Sequence, residues 1–224
     1  MLGKQYAAPY AKSMSDAYAG TIEQLIALWQ SLGEFESIKR VTKLPSGVRE
    51  SDSHHSFALA LTAYELAASH APELDAHKVL LYALVHDLPE LETGDVNTLL
   101  TSSEELRTKA KTDRTALNAT RQRFAGQPHL LAALEAYETK ADAESRFVYW
   151  IDKLMTVLTH FADNGQNLKS LGIHHQGDIE KWYERLLEKL ERGGAGHELA
   201  QSVLAAAYRK MHDELLPPAT ASSS

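Results

Sequence analysis

An almost unbroken apolar run, residues 79–85, ends directly in His86 and Asp87. A carboxylate that is buried without a partner either costs several kcal/mol or is forced to take up a proton. A divalent metal removes that cost, because neutral imidazole and carboxylate are ordinary ligands of first-row metals. A His-Asp pair alone is common, so a metal site at this point requires further ligands from other parts of the chain.

Composition limits the functions open to the chain. Its 224 residues suit one domain, or one domain with an appendage. The sequence contains no cysteine, which excludes disulfides and zinc-thiolate sites, so any metal must be held by His, Asp or Glu. A net charge of -7 argues against binding of long nucleic acid, but it allows a small phosphorylated ligand.

The sequence also bears on where the protein works. It has no apolar stretch of about eighteen residues, so no membrane span is expected. The N-terminus lacks the basic-then-apolar pattern of a signal peptide. We therefore expect a cytoplasmic protein.

Apolar residues recur at helical spacing along almost the whole chain, and no alternating strand pattern is visible. The spacing predicts helices around residues 22–32, 57–68, 79–85, 103–124, 130–137, 147–161, 179–190 and 203–211. Gly33 is the expected end of the first helix, and Asp75 is the expected N-cap of the third. The fold class is therefore expected to be all-α, with a last helix that extends the domain.

Two further positions complete a candidate ligand set. His55 lies at the start of the second predicted helix, and Asp152 lies at the edge of an apolar stripe in the helix over 147–161. With His86 and Asp87, they give two imidazoles and two carboxylates from three helices. Such ligands suit one divalent transition metal, namely Mn, Co, Fe, Ni or Zn.

A simpler interpretation of Asp152 stays open. An aspartate at the edge of a helix more often pairs with a nearby base, and Lys153 and Arg146 are both close in sequence.

The spacing of these four residues resembles that of the HD-domain phosphohydrolase superfamily, and within it the small YfbR-like 5′-deoxynucleotidase branch. The matching segments are residues 50–56, Glu-Ser-Asp-Ser-His-His-Ser, residues 86–95, which begin His-Asp-Leu-Pro-Glu and end Gly-Asp, residues 137–138 and residues 143–153. The resemblance covers about residues 35–165.

The resemblance implies a role for each matching residue. It makes His55, His86, Asp87 and Asp152 the metal ligands. Glu90 and Asp95 match an acidic pair that would act on the attacking water and on the leaving 5′ oxygen.

The resemblance also implies a phosphate contact. Lys43 matches a basic residue of the family that contacts phosphate, and Arg40 and Arg49 are alternative candidates for this contact. Leu44 stands where the family has a tryptophan, which bears on the selectivity for deoxyribose.

These matches divide the chain into an N-terminal helix over 1–34 that packs on the domain, an HD domain over 35–192, a C-terminal helix over 195–216 and a disordered tail over 217–224.

The implied activity is metal-dependent removal of phosphate from (deoxy)nucleoside 5′-monophosphates. The alternatives are a dNTP triphosphohydrolase and a non-catalytic nucleotide-sensing module. The expected partners are a small phosphorylated substrate, namely a nucleotide, and a second copy of the chain in a homodimer. Neither long nucleic acid nor a membrane is expected as a partner.

Overall fold

The computed structural model describes residues 8–95, 115–180, 184, 188 and 197–216, with side chains from residue 18 onward. These residues form helices and one small ribbon of strands, so the all-α prediction is confirmed. The helices are α1 (Ala8–Ser37), α2 (Asp52–His70), α3 (Ala76–Val85), α4 (Glu90–Thr93), α5 (residues 115–123), α6 (Pro128–Thr139), α7 (Ala143–Ala162), α8 (Gln166–Ser170) and α9 (Glu198–Leu215). The strands are β1 (Lys39–Lys43) and β2 (Arg49–Ser51), and a single 3₁₀ turn spans Gln176–Asp178.

The core forms around α7, which packs against α2, α3, α6 and α9. Its apolar face includes Phe147 and Ile151, both fully buried. Leu59 of α2 and Val79 of α3 meet the same core, as does Leu204 of α9. Burial of each such side chain is worth about 1.5–3 kcal/mol, so the C-terminal helix is held by the core itself.

The start of α3 is fixed by a side-chain cap. The carboxylate of Asp75 accepts hydrogen bonds from the backbone N–H groups of His77 (3.0 Å) and Lys78 (3.2 Å), which confirms the predicted N-cap. The helix then ends at Val85, so His86 is its C-cap residue. The cap therefore sets the position at which the His-Asp pair leaves the helix.

The antiparallel pairing of β1 with β2 corrects the expectation that the chain has no strands. In β1 the side chains alternate between exposed and half-buried, but the two inward-facing residues are both polar: Arg40, which is charged, and Thr42. An alternation of polar and apolar residues cannot reveal a strand whose inner face carries a charge. Burial of Arg40 is possible because carboxylates lie within ion-pairing distance of its guanidinium.

The predicted helix end at Gly33 is wrong, since α1 continues to Ser37. A glycine inside a helix costs about 1 kcal/mol relative to alanine. Phe35, two residues further along, is 2 % exposed and belongs to the core. Its burial outweighs the local cost and keeps the last turn of the helix in place.

Some predicted segments fall outside the described residues. These are residues 103–114 of the predicted helix over 103–124, most of the helix over 179–190 and the tail over 217–224. The domain boundaries drawn from the sequence stay predictions. Within the part of the chain that the structure describes, no helix is long and apolar enough to cross a membrane.

An apolar stripe runs along the exposed side of α1. Its members recur at alternating steps of four and three residues, which is the spacing of a coiled-coil seam. They are Tyr18, Ile22, Leu25, Trp29 and Leu32. Trp29 is the most exposed of them, at 77 %. The buried side of the same helix, which includes Phe35, packs against α2 and α4.

A buried histidine in α7 predicts how stability depends on pH. His160 is 2 % exposed, and neither ring nitrogen has a hydrogen-bond partner in the described structure. Burial lowers the pKa of His160 to about 4, although Asp163 opposes this shift. The unfolded chain, in which the pKa of histidine is about 6.5, therefore binds a proton more readily than the folded protein.

We expect the free energy of unfolding to fall as the pH falls from about 6.5 toward 4, with about 3 kcal/mol of that loss due to His160. His160→Leu should flatten this part of the curve, as measured by urea unfolding across the pH range. His77→Leu, at a histidine with a 90 % exposed side chain, is the control and should keep the wild-type slope. An unchanged slope in His160→Leu would contradict the interpretation.

Candidate metal centre

The first histidine of the centre is positioned by the start of α2. Ser51 caps this helix and accepts a hydrogen bond from the backbone N–H of His54 (3.2 Å). Consecutive helical residues point about 100° apart, so the two neighbouring histidines face different surroundings. His55 is 2 % exposed, whereas the side chain of His54 is 46 % exposed and lies beside Glu50.

The second histidine is oriented by the end of α3. Its Nδ1 lies 2.8 Å from the carbonyl oxygen of Ala83, and because a carbonyl can only accept, Nδ1 carries the proton. The Nε2 atom of His86 is buried and has no hydrogen-bond partner, although Asp87 Oδ2 lies 3.0 Å away. A backbone bond at one nitrogen and an open lone pair at the other are what a metal-ligating histidine requires.

Two carboxylates complete the cluster. Asp152 Oδ1 lies 3.0 Å from His55 Nε2 and 3.9 Å from His86 Nε2. Asp87 Oδ2 lies 4.0 Å from His55 Nε2. Ligand atoms that each lie about 2.0–2.2 Å from one ion are about 3–4 Å from each other. The distances in the cluster fall in this range, so it fits a single divalent metal. The structure thus brings the four predicted ligands together, and their coordination of a metal stays a prediction.

The simpler interpretation of Asp152 also describes part of the structure. Its Oδ2 accepts a hydrogen bond from Lys153 Nζ at 2.6 Å, while its Oδ1 faces His55. One oxygen is therefore paired with a lysine and the other points into the cluster. The two interpretations of this aspartate do not exclude each other.

A second acidic group lies beside the first. Asp52, Glu90 and Asp95 place carboxylate oxygens within 4.8 Å of one another. Arg40 Nη1 lies 3.3 Å from Asp52 Oδ1, 3.0 Å from Asp87 Oδ2 and 3.8 Å from Asp95 Oδ1. Arg40, an alternative candidate for phosphate binding, therefore already neutralises the carboxylates of Asp52, Asp87 and Asp95.

The crowding of carboxylates changes their protonation. Burial raises the pKa of Glu90 well above its ordinary value, and the negative charges of Asp87, Asp52 and Asp95 add to the shift. Burial also raises the pKa of Asp52, with Asp87 as the next cause. Both shifts favour the protonated forms of these carboxyl groups, because a proton removes a charge that the neighbouring carboxylates would repel.

A cleft of about 210 Å³ opens beside the cluster. His86, Asp87 and Asp152 line it, and Glu90 lines it as well. Lys140, from the turn between α6 and α7, and Tyr149 and Lys153 of α7 line the same cleft. A ligand in this cleft would meet both the predicted metal ligands and two cationic side chains.

Lys43 and Arg49 lie elsewhere. Lys43 lines a second cleft, between the β-ribbon turn and the segment that joins α7 to α8, where Asn167 pairs with its backbone N–H and carbonyl groups. Arg49 donates hydrogen bonds to the carbonyl oxygens of Arg40 (2.7 Å) and Lys39 (3.0 Å). Neither residue lines the cleft beside the histidines, and their roles in phosphate binding stay predictions.

Sequence reasoning did not assign a role to three residues of the site. Asp52 lies within the segment 50–56 that carries His55, so its position at the start of α2 was a usable signal. Lys153 directly follows Asp152, and the sequence suggests for it only a salt bridge to that aspartate. Lys140 belongs to no motif, and its place in the cleft follows from the turn after α6.

The two adjacent histidines provide a test of the metal centre. We expect Co²⁺ to bind the wild-type protein, with a visible absorption band and a higher melting temperature, because the ion neutralises buried carboxylates. His55→Gln should abolish both effects, and the matched change His54→Gln should preserve them. Equal Co²⁺ binding by the two variants would contradict the assignment of His55.

Comparisons with known proteins bear on the fold and on the family of the chain. The chain is similar to the crystal structure of a predicted metal-dependent phosphohydrolase from Magnetospirillum magnetotacticum MS-1, with 23 % identity and a TM-score of 0.62, over 87 % of this chain and 99 % of that one. It is also similar to the crystal structure of the PH0347 protein from Pyrococcus horikoshii OT3, with 20 % identity and a TM-score of 0.55, over 84 % of this chain and 98 % of that one. These likenesses show a shared fold. No curated protein matches the chain. A family model described as an HD domain matches residues 23–192, which span His55, the His86-Asp87 pair and Asp152, and the chain therefore belongs to the HD-domain family.

Proposed function

We propose that this protein is a metal-dependent phosphohydrolase that releases phosphate from nucleoside 5′-monophosphates, deoxynucleotides among them. One observation carries the proposal: His86, Asp87 and Asp152, which cluster with His55, line a cleft that also carries two cationic side chains, Lys140 and Lys153. The neighbouring structure described as a predicted metal-dependent phosphohydrolase supports the reaction class.

The donor set fits a divalent transition metal, since His86 Nε2 is a buried lone pair without a hydrogen-bond partner. His55, His86, Asp87 and Asp152 would hold the ion. When bound, such an ion polarises a phosphoryl oxygen and lowers the pKa of a water molecule. The chain keeps the ligands oriented, because Ala83 fixes the ring of His86.

The acidic pair would manage protons. Glu90 lines the cleft three residues after Asp87, and its buried Oε2 has no hydrogen-bond partner in the described structure. This oxygen can orient the attacking water and take its proton. Asp95 Oδ1 lies 3.8 Å from Arg40 Nη1, and a carboxylate oxygen of Asp95 lies within 4.8 Å of one of Glu90. Asp95 would give a proton to the leaving 5′ oxygen or contact the sugar.

The cleft also offers surface for a nucleoside. Leu117 and Tyr149 line it, and apolar and aromatic side chains are the usual contacts of a base or sugar in a ligand pocket. This surface and the matching segments around His55 and His86 support a nucleotide as the substrate.

A second candidate is removal of triphosphate from a dNTP. The presence of both Lys140 and Lys153 in the cleft favours it, because a longer phosphate chain carries more negative charge. The products separate the two reactions: the monophosphatase releases orthophosphate, and the triphosphohydrolase releases tripolyphosphate. A non-catalytic nucleotide sensor would bind nucleotides without releasing either product.

The test is an assay of nucleoside mono-, di- and triphosphates, ribo and deoxy, with Mn²⁺, Co²⁺, Mg²⁺ or Zn²⁺. We expect metal-dependent release of orthophosphate from monophosphates. Glu90→Gln should lower kcat by about 10²–10⁴-fold while Co²⁺ binding persists, because proton transfer is lost and the ligands remain. Glu92→Gln, at an exposed partner of Arg123, is the matched control and should retain activity. Full activity in Glu90→Gln would refute its role.

We also propose that the apolar stripe of α1, formed by Tyr18, Ile22, Leu25, Trp29 and Leu32, pairs with α1 of a second copy. Its spacing fits a helix as the partner. Five neighbouring exposed apolar side chains form a patch larger than isolated surface residues need. A homodimer would cover the stripe in both copies at once.

Sedimentation equilibrium should therefore show a dimer of the full chain. Trp29→Glu should shift it toward monomer, because the charge would be buried in the seam. Val48→Glu, at another exposed apolar residue in the β-ribbon, should leave the dimer intact. A monomeric wild-type protein, or a Trp29→Glu variant that dimerises as tightly as the wild type, would exclude this interface.

A further inference from the structure

We propose that Lys140 binds the phosphate group of the substrate in the cleft beside the predicted metal ligands. The inference rests on the proposed function, because it assigns a phosphate-binding residue to that same cleft. Lys140 lines the cleft together with His86, Asp87 and Asp152. A phosphate held in this cleft would meet both the predicted metal ligands and the ammonium group of Lys140.

The backbone of Lys140 gives the first argument. Lys140 caps the C-terminus of α6 in the left-handed conformation, with φ 50° and ψ 28°. Among the described residues, Asn164 is the only other residue besides glycine with a positive φ. Asparagine tolerates this conformation, whereas for most other side chains it is unfavourable. Glycine or asparagine would be the favourable choice after α6, so the lysine is held there against a local cost.

The electrostatic setting of Lys140 gives the second argument. Its Nζ donates a hydrogen bond to the carbonyl oxygen of Tyr137 (2.8 Å) and lies 3.1 Å from the centre of the Tyr137 ring. Within the described part of the chain, no carboxylate oxygen forms an ion pair with this ammonium group. Burial lowers the pKa of Lys140 to about 8, although the charge of Glu138, which forms no ion pair with it among the described residues, opposes this shift. Most of the population therefore still carries a charge at neutral pH.

Other partly buried lysines show that this setting is unusual in the molecule. Lys153, which also lines the cleft, has its Nζ 2.6 Å from Asp152 Oδ2. Lys78 lies 2.9 Å from Asp142 Oδ2 and 3.1 Å from Glu144 Oε2. Each of these two lysines has a carboxylate as its counter-charge. Lys140 has a carbonyl and an aromatic face, which orient a cation without neutralising it.

The missing counter-charge points to the ligand. A desolvated ammonium group attracts an anion strongly, and a phosphate monoester carries about two negative charges at neutral pH. Lysine acts as a point charge with three rotatable donors, so it can follow a phosphate that changes its geometry during hydrolysis. Lys140 would then select phosphorylated over neutral ligands, while the metal ligands select the reacting oxygen.

Lys140→Asn separates binding from stability. The variant should melt at the same temperature as the wild type or higher, because asparagine suits the left-handed backbone. It should bind inorganic phosphate at least about tenfold more weakly in the Co²⁺-loaded protein, since one charge-assisted hydrogen bond is lost. Calorimetry measures the affinity. The KM for the substrate should rise by a similar factor, with a smaller change in kcat.

Two further variants sharpen the test. Lys140→Arg keeps the charge and should retain phosphate binding within about threefold of wild type. Asn164→Gly changes the other left-handed residue, which lines the second cleft, and should leave phosphate affinity unchanged. Wild-type phosphate affinity in Lys140→Asn would overturn the proposal, as would a Co²⁺-loaded wild-type protein that binds no phosphate.

These outcomes are distinct from failure of the proposed function. Binding of inorganic phosphate requires no turnover, so it can be measured even if no nucleotide is hydrolysed. A protein that binds phosphate through Lys140 but hydrolyses nothing would support the subsite and refute the phosphohydrolase. Hydrolysis with unchanged phosphate affinity and KM in Lys140→Asn would do the reverse.

Discussion

The guanidinium group of Arg40 is the positive charge on which the arrangement of buried carboxylates depends. Its Nη1 lies 3.0 Å from Asp87, 3.3 Å from Asp52 and 3.8 Å from Asp95, which come from three separate segments of the chain. Loss of one partner from a buried ion pair typically costs about 3–5 kcal/mol. Arg40 therefore links β1, the start of α2 and the segment after α3. The side chain of Arg49 donates two hydrogen bonds to the carbonyl oxygens of Lys39 and Arg40, and these bonds stabilise the β-ribbon that positions Arg40.

Helix caps and core packing set the positions of the predicted metal ligands. The cap at Ser51 turns His55 inward at the start of α2, and the cap at Asp75 fixes the register of α3, so that His86 leaves the helix at its last turn. Asp152 lies in the middle of α7, whose burial against the core sets its orientation. Local hydrogen bonds thus position two of the four predicted ligands, His55 and His86, and core packing positions Asp152.

Much of the helical fold could be predicted from the sequence, because most helices bury an apolar stripe with a period near 3.6 residues. The ligand set could also be proposed, since its residue types and spacing match a known family. The β-ribbon could not, because its inward side chains, the charged Arg40 and Thr42, are both polar. The helix end at Gly33 was missed because burial of Phe35, a tertiary effect, outweighs the local cost of glycine. Lys140 enters the cleft through a left-handed turn that no sequence motif marks.

The charge balance of the cleft connects these features. Around Arg40, carboxylates outnumber cations, and burial together with this excess of negative charge raises the pKa of Glu90. A divalent ion at His55 and His86 would add positive charge and oppose that shift, so metal binding and proton loss from Glu90 are linked. Glu90 could then serve as a base once the ion is bound. In the same cleft, Lys140 forms no ion pair with a carboxylate within the described structure, so a bound anion would complete the balance.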